Sequence, residues 1–254
     1  MLRIVPCEVP GKKYGARRCS RMASLLFIRE GIERMTKVKE LVVRVVILFL
    51  GLTIAHLGVT LFLLADLGSD PFNVLIQGIF RSISKVADWS FITHGRVHIV
   101  VSLLIVCVLL FVDKSYIKIG TLLCMICGGP IIDFFTRILD PVFAGDLSLA
   151  VRIVVNIIGC CILAFGMTIV IKSEAGTGPN DLVAVVISEK LEKKFSITRI
   201  IVDVCYAGIG FLLSGTVGIG TIICAFVVGP IAGIFMPINE GWIRKAVEKI
   251  CSAL

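Results

Sequence analysis

The sequence predicts an all-α membrane protein, a polytopic helical bundle of two tandem four-element repeats with about eight membrane segments. Three observations carry that expectation. The 254-residue chain is 57% hydrophobic and 17% charged, with mean hydropathy +1.00, whereas soluble domains are roughly half apolar and about a quarter charged. Apolar runs long enough to cross a ~30 Å hydrocarbon core, which takes about 20 helical residues, recur along it. Finally, one pattern occurs twice. GVTLFLLADLGSDPFNVL at 58–75 returns as GMTIVIKSEAGTGPNDLV at 166–183, an offset of 108, and IGTLLC at 119–124 returns as IGTIIC at 219–224, an offset of 100. The second echo extends to Gly129-Pro130 and Gly229-Pro230.

Residues 1–34 are basic and hold no sustained apolar run. Ten Lys/Arg face four Glu in the first forty residues, so the net charge of +8 is largely local and no nucleic-acid stripe is implied. A surface-lying leader, a transit peptide and a start codon placed too early compete for this segment. The last is favoured, because Glu30 and Glu33 spoil an acid-poor transit pattern and Met35 runs directly into the first span.

That span covers residues 41–65, where Arg44 and His56 are the sole ionisable groups. It ends in the turn Gly68-Ser69-Asp70, after which Pro71 suits the first position of a new helix. The element at 71–84 is short, and its apolar run of about ten residues covers only ~15 Å. Spans at 97–112 and 119–138 complete repeat 1, taken as residues 36–140. Repeat 2, residues 150–238, holds 153–171, the short 179–188, 197–213 and 219–235. Residues 239–254 place Ile243, Ala246, Val247 and Ile250 at helical spacing against Arg244, Lys245 and Lys249, the pattern of an amphipathic surface helix. Counting Lys/Arg on alternate sides makes the short elements cross, because the basic groups at 81–96, 137–152 and 190–199 then share the cytoplasmic side with both termini. The two repeats are thereby expected to be parallel, related by an axis along the membrane normal.

Both turns have a structural explanation: Gly68 and Gly176 permit a tight turn, Pro71 and Pro179 start helices, and Asn73 and Asp181 reach back as caps. Beside it stands a binding reading, in which two helix N-termini present free N–H groups to a polar solute or ion. Its residues are Asn73, Gln77, Asp181, Ser69 and Thr177. Gly129, Pro130, Gly229 and Pro230 read as helix contacts and kinks. Ionisable residues at membrane depth are functional candidates by default; here they are His56, Asp133 and Asp203. His56 and Asp133 echo Ala164 and Gly233, so neither belongs to the repeated plan. Cys124 and Cys127 have the spacing of a metal or redox pair but lie in an apolar helix and echo Cys224 with Val227, so no metal or cofactor is expected, and the cysteines of the apolar segments read as packing groups rather than a disulfide framework. An enzyme is not expected; an intramembrane hydrolase using Asp133 and Asp203 is the remote alternative.

The paired LGSDPFN and GTGPND turns, each followed by an IGT…GPI helix, resemble the YczE/YyaS/YitT group of bacterial integral membrane proteins over about residues 36–238. The second turn departs from the first in having Gly178 where Asp70 stands. The resemblance implies a multi-pass protein of the bacterial plasma membrane. The expected function is a transporter passing a small solute or ion between the repeats, with a non-transporting scaffold or accessory subunit as the alternative and the bilayer as partner.

Overall fold

The computed structural model describes residues 16–68, 70–86, 94–143, 145 and 147–253. The described residues form eight α-helices and no strand: α1 (Ala16–Leu64), α2 (Pro71–Val86), α3 (His94–Val112), α4 (Ile119–Phe143), α5 (Leu149–Lys172), α6 (Pro179–Lys190), α7 (Phe195–Leu212) and α8 (Ile219–Ala253). Five of them, in α1, α4, α5, α7 and α8, carry stretches long and apolar enough to cross a membrane. Residues 96–112 of α3 add a shorter apolar helix. Apolar side chains such as Val100, Leu104 and Val108 on α3 and Leu122 and Ile126 on α4 point outward, as a lipid-facing surface does and a water-facing one does not.

The packing begins at α1 and α5, where glycines let two backbones meet. A Cβ on Gly58 would lie 2.6 Å from the Gly159 carbonyl oxygen, and one on Gly166 would lie 2.7 Å from the Gly51 carbonyl oxygen. Gly51 thus meets Gly166 and Gly58 meets Gly159, so the two helices run antiparallel. Their ends are tied by matching arginines. Arg44 donates to the Ser173 carbonyl at 3.1 Å and pairs with Glu174 at 2.9 Å. Arg152 donates from Nε to the Ala65 carbonyl at 2.7 Å and from its terminal nitrogen to the Asp66 carboxylate at 2.9 Å and to the Asp66 carbonyl. In each case a guanidinium caps the last carbonyls of the opposite helix, where the dipole is negative.

The two turns share one backbone. Asp66 and Glu174 have φ of 47° and 58°, and Gly68 and Gly176 have φ of 126° and 139°, values that only glycine adopts without strain. Each turn then receives the helix start of the other half. Gly220 N–H donates to Leu67 O at 2.9 Å, and Gly120 N–H donates to Ala175 O at 2.9 Å. α4 runs the same way as α1, since Leu48 meets Gly120 and His56 meets Gly128. α8 runs with α5, since Asn156 meets Gly220 and Thr168 bonds Asn239.

These contacts define two ends of the bundle. One gathers residues 65–68, 70, 81–85, 147–152 and 213–220; the other gathers 44, 113–120, 172–177, 189–194 and 240. Six helices pass between them, whereas α2 and α6 each begin and finish at one end. The start of α2 follows the 65–70 turn, and near its finish Lys85 bonds Ser214 at 2.7 Å. α6 follows the 172–177 turn, and its last residue, Lys190, lies 3.8 Å from Asp113. At 1.5 Å per residue, their 16 and 12 residues reach about 24 and 18 Å, short of the core.

Three expectations are corrected here. The halves do not share an orientation, because α1 and α5 are antiparallel and the short elements do not cross. The Lys/Arg count misled for a physical reason: Arg81 donates to Ser214 O at 2.8 Å and Arg152 to Ala65 O, so both cations fasten backbone rather than report a side. The surface helix expected at 239–254 is the continuation of α8, with Ile243 and Val247 buried against Ile47 and Ile169. The helical spacing there was read correctly, but its apolar face meets α1 and α5. Pro130 and Pro230 lie inside α4 and α8, and both prolines face outward. Residues 1–15 and Ser69 lie outside the described residues.

Candidate functional site

α7 places Arg199, Asp203 and Tyr206 at i, i+4 and i+7, one stripe of a helix. That stripe faces inward, not to lipid. Arg199 donates from Nε to Asp203 Oδ2 at 2.9 Å, and its Nη1 bonds Asp181 Oδ1 at 2.5 Å. The side chains are 7%, 1% and 19% exposed for Arg199, Asp203 and Asp181, so a three-membered charge cluster is held inside the helix bundle. Asp181 sits in the first turn of α6, where the free N–H groups and the dipole favour a carboxylate. Asn180 supports it with a 3.0 Å bond to Oδ1. Around the cluster, Asp203 Oδ1 and the Tyr206 hydroxyl are buried with no hydrogen-bond partner among the described residues. Phe72, at the start of α2, stacks edge-on against Tyr206 at 5.4 Å, bringing the opening of the other short helix to the same face of α7.

The remaining predicted residues are placed differently. Asn73 donates its N–H at 3.2 Å and its amide at 2.5 Å to Asp70, so Asp70 rather than Asn73 is the cap of α2. Gln77 accepts from the N–H and the hydroxyl of Thr216, both at 2.7 Å, clamping the α7–α8 turn. Ser82 Oγ adds a bond to Leu213 O at 3.0 Å. Gly78 and Gly210 meet where these helices cross, with no room for a Cβ. The hydrogen bonds of Asn73 and Gln77 thus go to Asp70 and Thr216 rather than to Asp181. His56 is half-buried, its Nδ1 at 2.7 Å from Leu52 O and its Nε2 against Gly128. Asp133 is exposed on α4 and Asp203 is paired on α7, so the two carboxylates of the hydrolase alternative do not form a dyad.

Thr177 borders a cleft of ≈ 440 Å³ at the end holding residues 113–120, with Tyr116, Lys118, Glu174 and Glu189 on its walls and Ile171, Leu182 and Val185 as its floor. The Thr177 hydroxyl is buried without a partner there, while its N–H donates to Thr121 Oγ1 at 3.4 Å. The hydrogen bond of the Tyr116 hydroxyl with Glu189 pushes its pKa up to about 12, so the phenol stays neutral. The volume lies within the ~300–1,000 Å³ typical of small-molecule sites.

Sequence reasoning found Asp181 and Asp203 but missed Arg199. It had been grouped with Lys190, Lys193 and Lys194 as a loop cluster, although α7 starts at Phe195 and Arg199 stands inside its second turn. The available signal was the Arg199/Asp203 spacing of four, which pairs opposite charges on one helix face. The Arg44/Arg152 pair was also legible, as it repeats at the offset of 108.

Eight helices with outward apolar faces and ion pairs kept inside define a helical membrane protein. Residues 42–237 match DUF6198, a family described as of unknown function, and the chain belongs to that family and to the YczE/YyaS-like group. A protein of Haemophilus influenzae described as uncharacterized is 30% identical over 195 residues, 76% of this chain and 83% of its own length. The uncharacterized membrane protein YczE of Bacillus subtilis is 27% identical over 217 residues, 85% of this chain and 96% of its own. YyaS of the same organism, described as uncharacterized, is 23% identical over 192 residues, 75% and 91% of the two chains. No solved structure matches.

Proposed function

We propose that the protein is a six-pass transporter of the bacterial plasma membrane, carrying a small solute or ion along a path between two inverted halves. The observation that carries this is the Asp181–Arg199–Asp203 cluster, since ionisable groups buried at membrane depth cost several kcal/mol to accommodate and are kept where a pathway uses them. The inverted relation is supported by reciprocity: the Arg44 and Arg152 caps, the two positive-φ turns and the Gly120 and Gly220 donations each occur once per half. Inverted repeats with short helices opening toward the middle are a recurrent transporter plan. In this reading the end bearing Lys114, Lys193 and Lys194 is cytoplasmic, by the positive-inside bias, and so are both termini. The cleft beside Thr177 then opens inward while the Gln77–Thr216 clamp closes the outer end.

Orientation is tested with an impermeant thiol reagent on intact cells after replacement of native cysteines. Lys85→Cys is expected to be labelled and Lys193→Cys protected; labelling of position 193 alone would invert the orientation. Transport is tested by screening the purified protein against solute libraries for a rise in melting temperature. A ligand that binds only the folded state at 100 Kd raises stability by about 2.7 kcal/mol. Asp181→Asn is expected to keep the fold and lose that rise. The scaffold reading is favoured by Asn73 and Gln77 serving turns and clamps, and it predicts no stabilising solute.

A further inference from the structure

We infer that Asp203 is a proton-binding site, with its unpartnered Oδ1 as the atom that carries the proton. Two carboxylates, Asp181 and Asp203, face one guanidinium, Arg199, so the cluster holds one negative charge in excess when all three are ionised. Inside a bilayer such an excess is balanced by a bound cation or by neutralisation of one member. The geometry indicates where. Asp181 Oδ1 accepts from both Arg199 and Asn180, and Asp203 Oδ2 accepts from Arg199, whereas Asp203 Oδ1 is buried and makes no bond among the described residues. A metal cation requires several oxygen ligands, and the one other unpartnered oxygen on this stripe is the Tyr206 hydroxyl. A proton requires one oxygen. Protonation converts the Asp203 carboxylate and one H⁺ into a carboxylic acid whose O–H can donate, giving Oδ1 the role it lacks.

The groups that act on Asp203 are few. From α7 they are Arg199 and Tyr206, from α6 Asp181, from the turn before α2 Asp70, and from α8 the Cys224 thiol. His56 of α1 lies within electrostatic reach of Asp181. As the coupling step of a transport cycle this inference rests on the transporter reading; as a protonation it stands alone, and the experiment reads the proton without any flux.

Infrared spectra of the protein in lipid nanodiscs at neutral pH are expected to show a protonated carboxyl C=O band that Asp203→Asn removes. Asp203→Glu should move the band and Asp181→Glu should leave its position unchanged. Asp181→Asn should also abolish it, because Asp203 then balances Arg199 alone. Asn and Glu preserve much of the side-chain shape, and a monodisperse elution profile confirms that each variant is folded. A band that persists in Asp203→Asn overturns the assignment. So does a band that disappears on adding Na⁺ at fixed pH, which would make the site a metal-cation site. So does a wild-type spectrum without the band in which His56→Gln brings it out, which would put the balancing charge on His56. Absence of any stabilising solute or flux in the wild-type protein, with the band intact, would count against the transporter reading and leave the proton site standing.

Discussion

Arg199→Gln is expected to destabilise the protein by about 3–5 kcal/mol, the range seen when one partner of a buried ion pair is removed. Glutamine keeps some hydrogen bonding but supplies no positive charge, so the Asp181 carboxylate would stand uncompensated beside Asp203. Asp203 is 1% exposed and cannot turn to solvent. Asp203→Asn should cost less, since it removes the member whose second oxygen has no partner. The combination of Arg199→Gln with Asp181→Asn and Asp203→Asn should recover most of the loss, because no buried charge then remains. Melting in detergent, with the singles and the triple compared, checks this. A melting temperature for Arg199→Gln equal to wild type would mean that the cluster is hydrated or open, and the buried-charge argument would fail.

That cluster also shows where sequence reasoning reached and where it stopped. The turn motifs were legible because their chemistry is local: Gly68 and Gly176 adopt positive φ, and Pro71 and Pro179 open helices, as the residue types require. The recurrence of Gly58, Gly68 and Pro71 at one offset is a property of the sequence itself. Orientation was not, because it was decided by charges whose roles are set at long range. Arg152 reads as a loop cation until Ala65 O is found 2.7 Å away, and Arg81 reads the same until Ser214 O is found at 2.8 Å. Arg199 was hidden by a boundary: three lysines and an arginine within ten residues look like one basic loop, yet the helix begins at Phe195 and divides them. The tail of α8 shows the converse failure. Its amphipathic spacing is real, but a periodicity does not say whether the apolar face meets lipid or protein, and here Ile243 and Val247 meet α1 and α5.

Replacing Gly58 or Gly166 with leucine is expected to cost about 3 kcal/mol each, the upper end of the overpacking range. The reason is what the new side chain would meet. A Cβ on Gly58 would stand 2.6 Å from the Gly159 carbonyl oxygen, and a Cβ on Gly166 would stand 2.7 Å from both the Ala55 Cα and the Gly51 carbonyl oxygen. These are backbone atoms of the partner helix, so no rotamer change relieves the clash and the two helices must separate. Separation strips the Arg44 and Arg152 caps from the opposite helix ends, which couples both halves to one contact. The double variant should therefore cost less than the sum of the singles, since the second leucine enters an interface already opened. Gly208→Ala is the control: it lies within α7 with nothing within 4 Å of its added methyl, so the better helix propensity of alanine should stabilise by up to about 1 kcal/mol. Unfolding midpoints of the four variants in detergent decide the matter. If Gly58→Leu and Gly166→Leu melt with the control, α1 and α5 do not pack backbone to backbone and the antiparallel seam joining the halves is elsewhere.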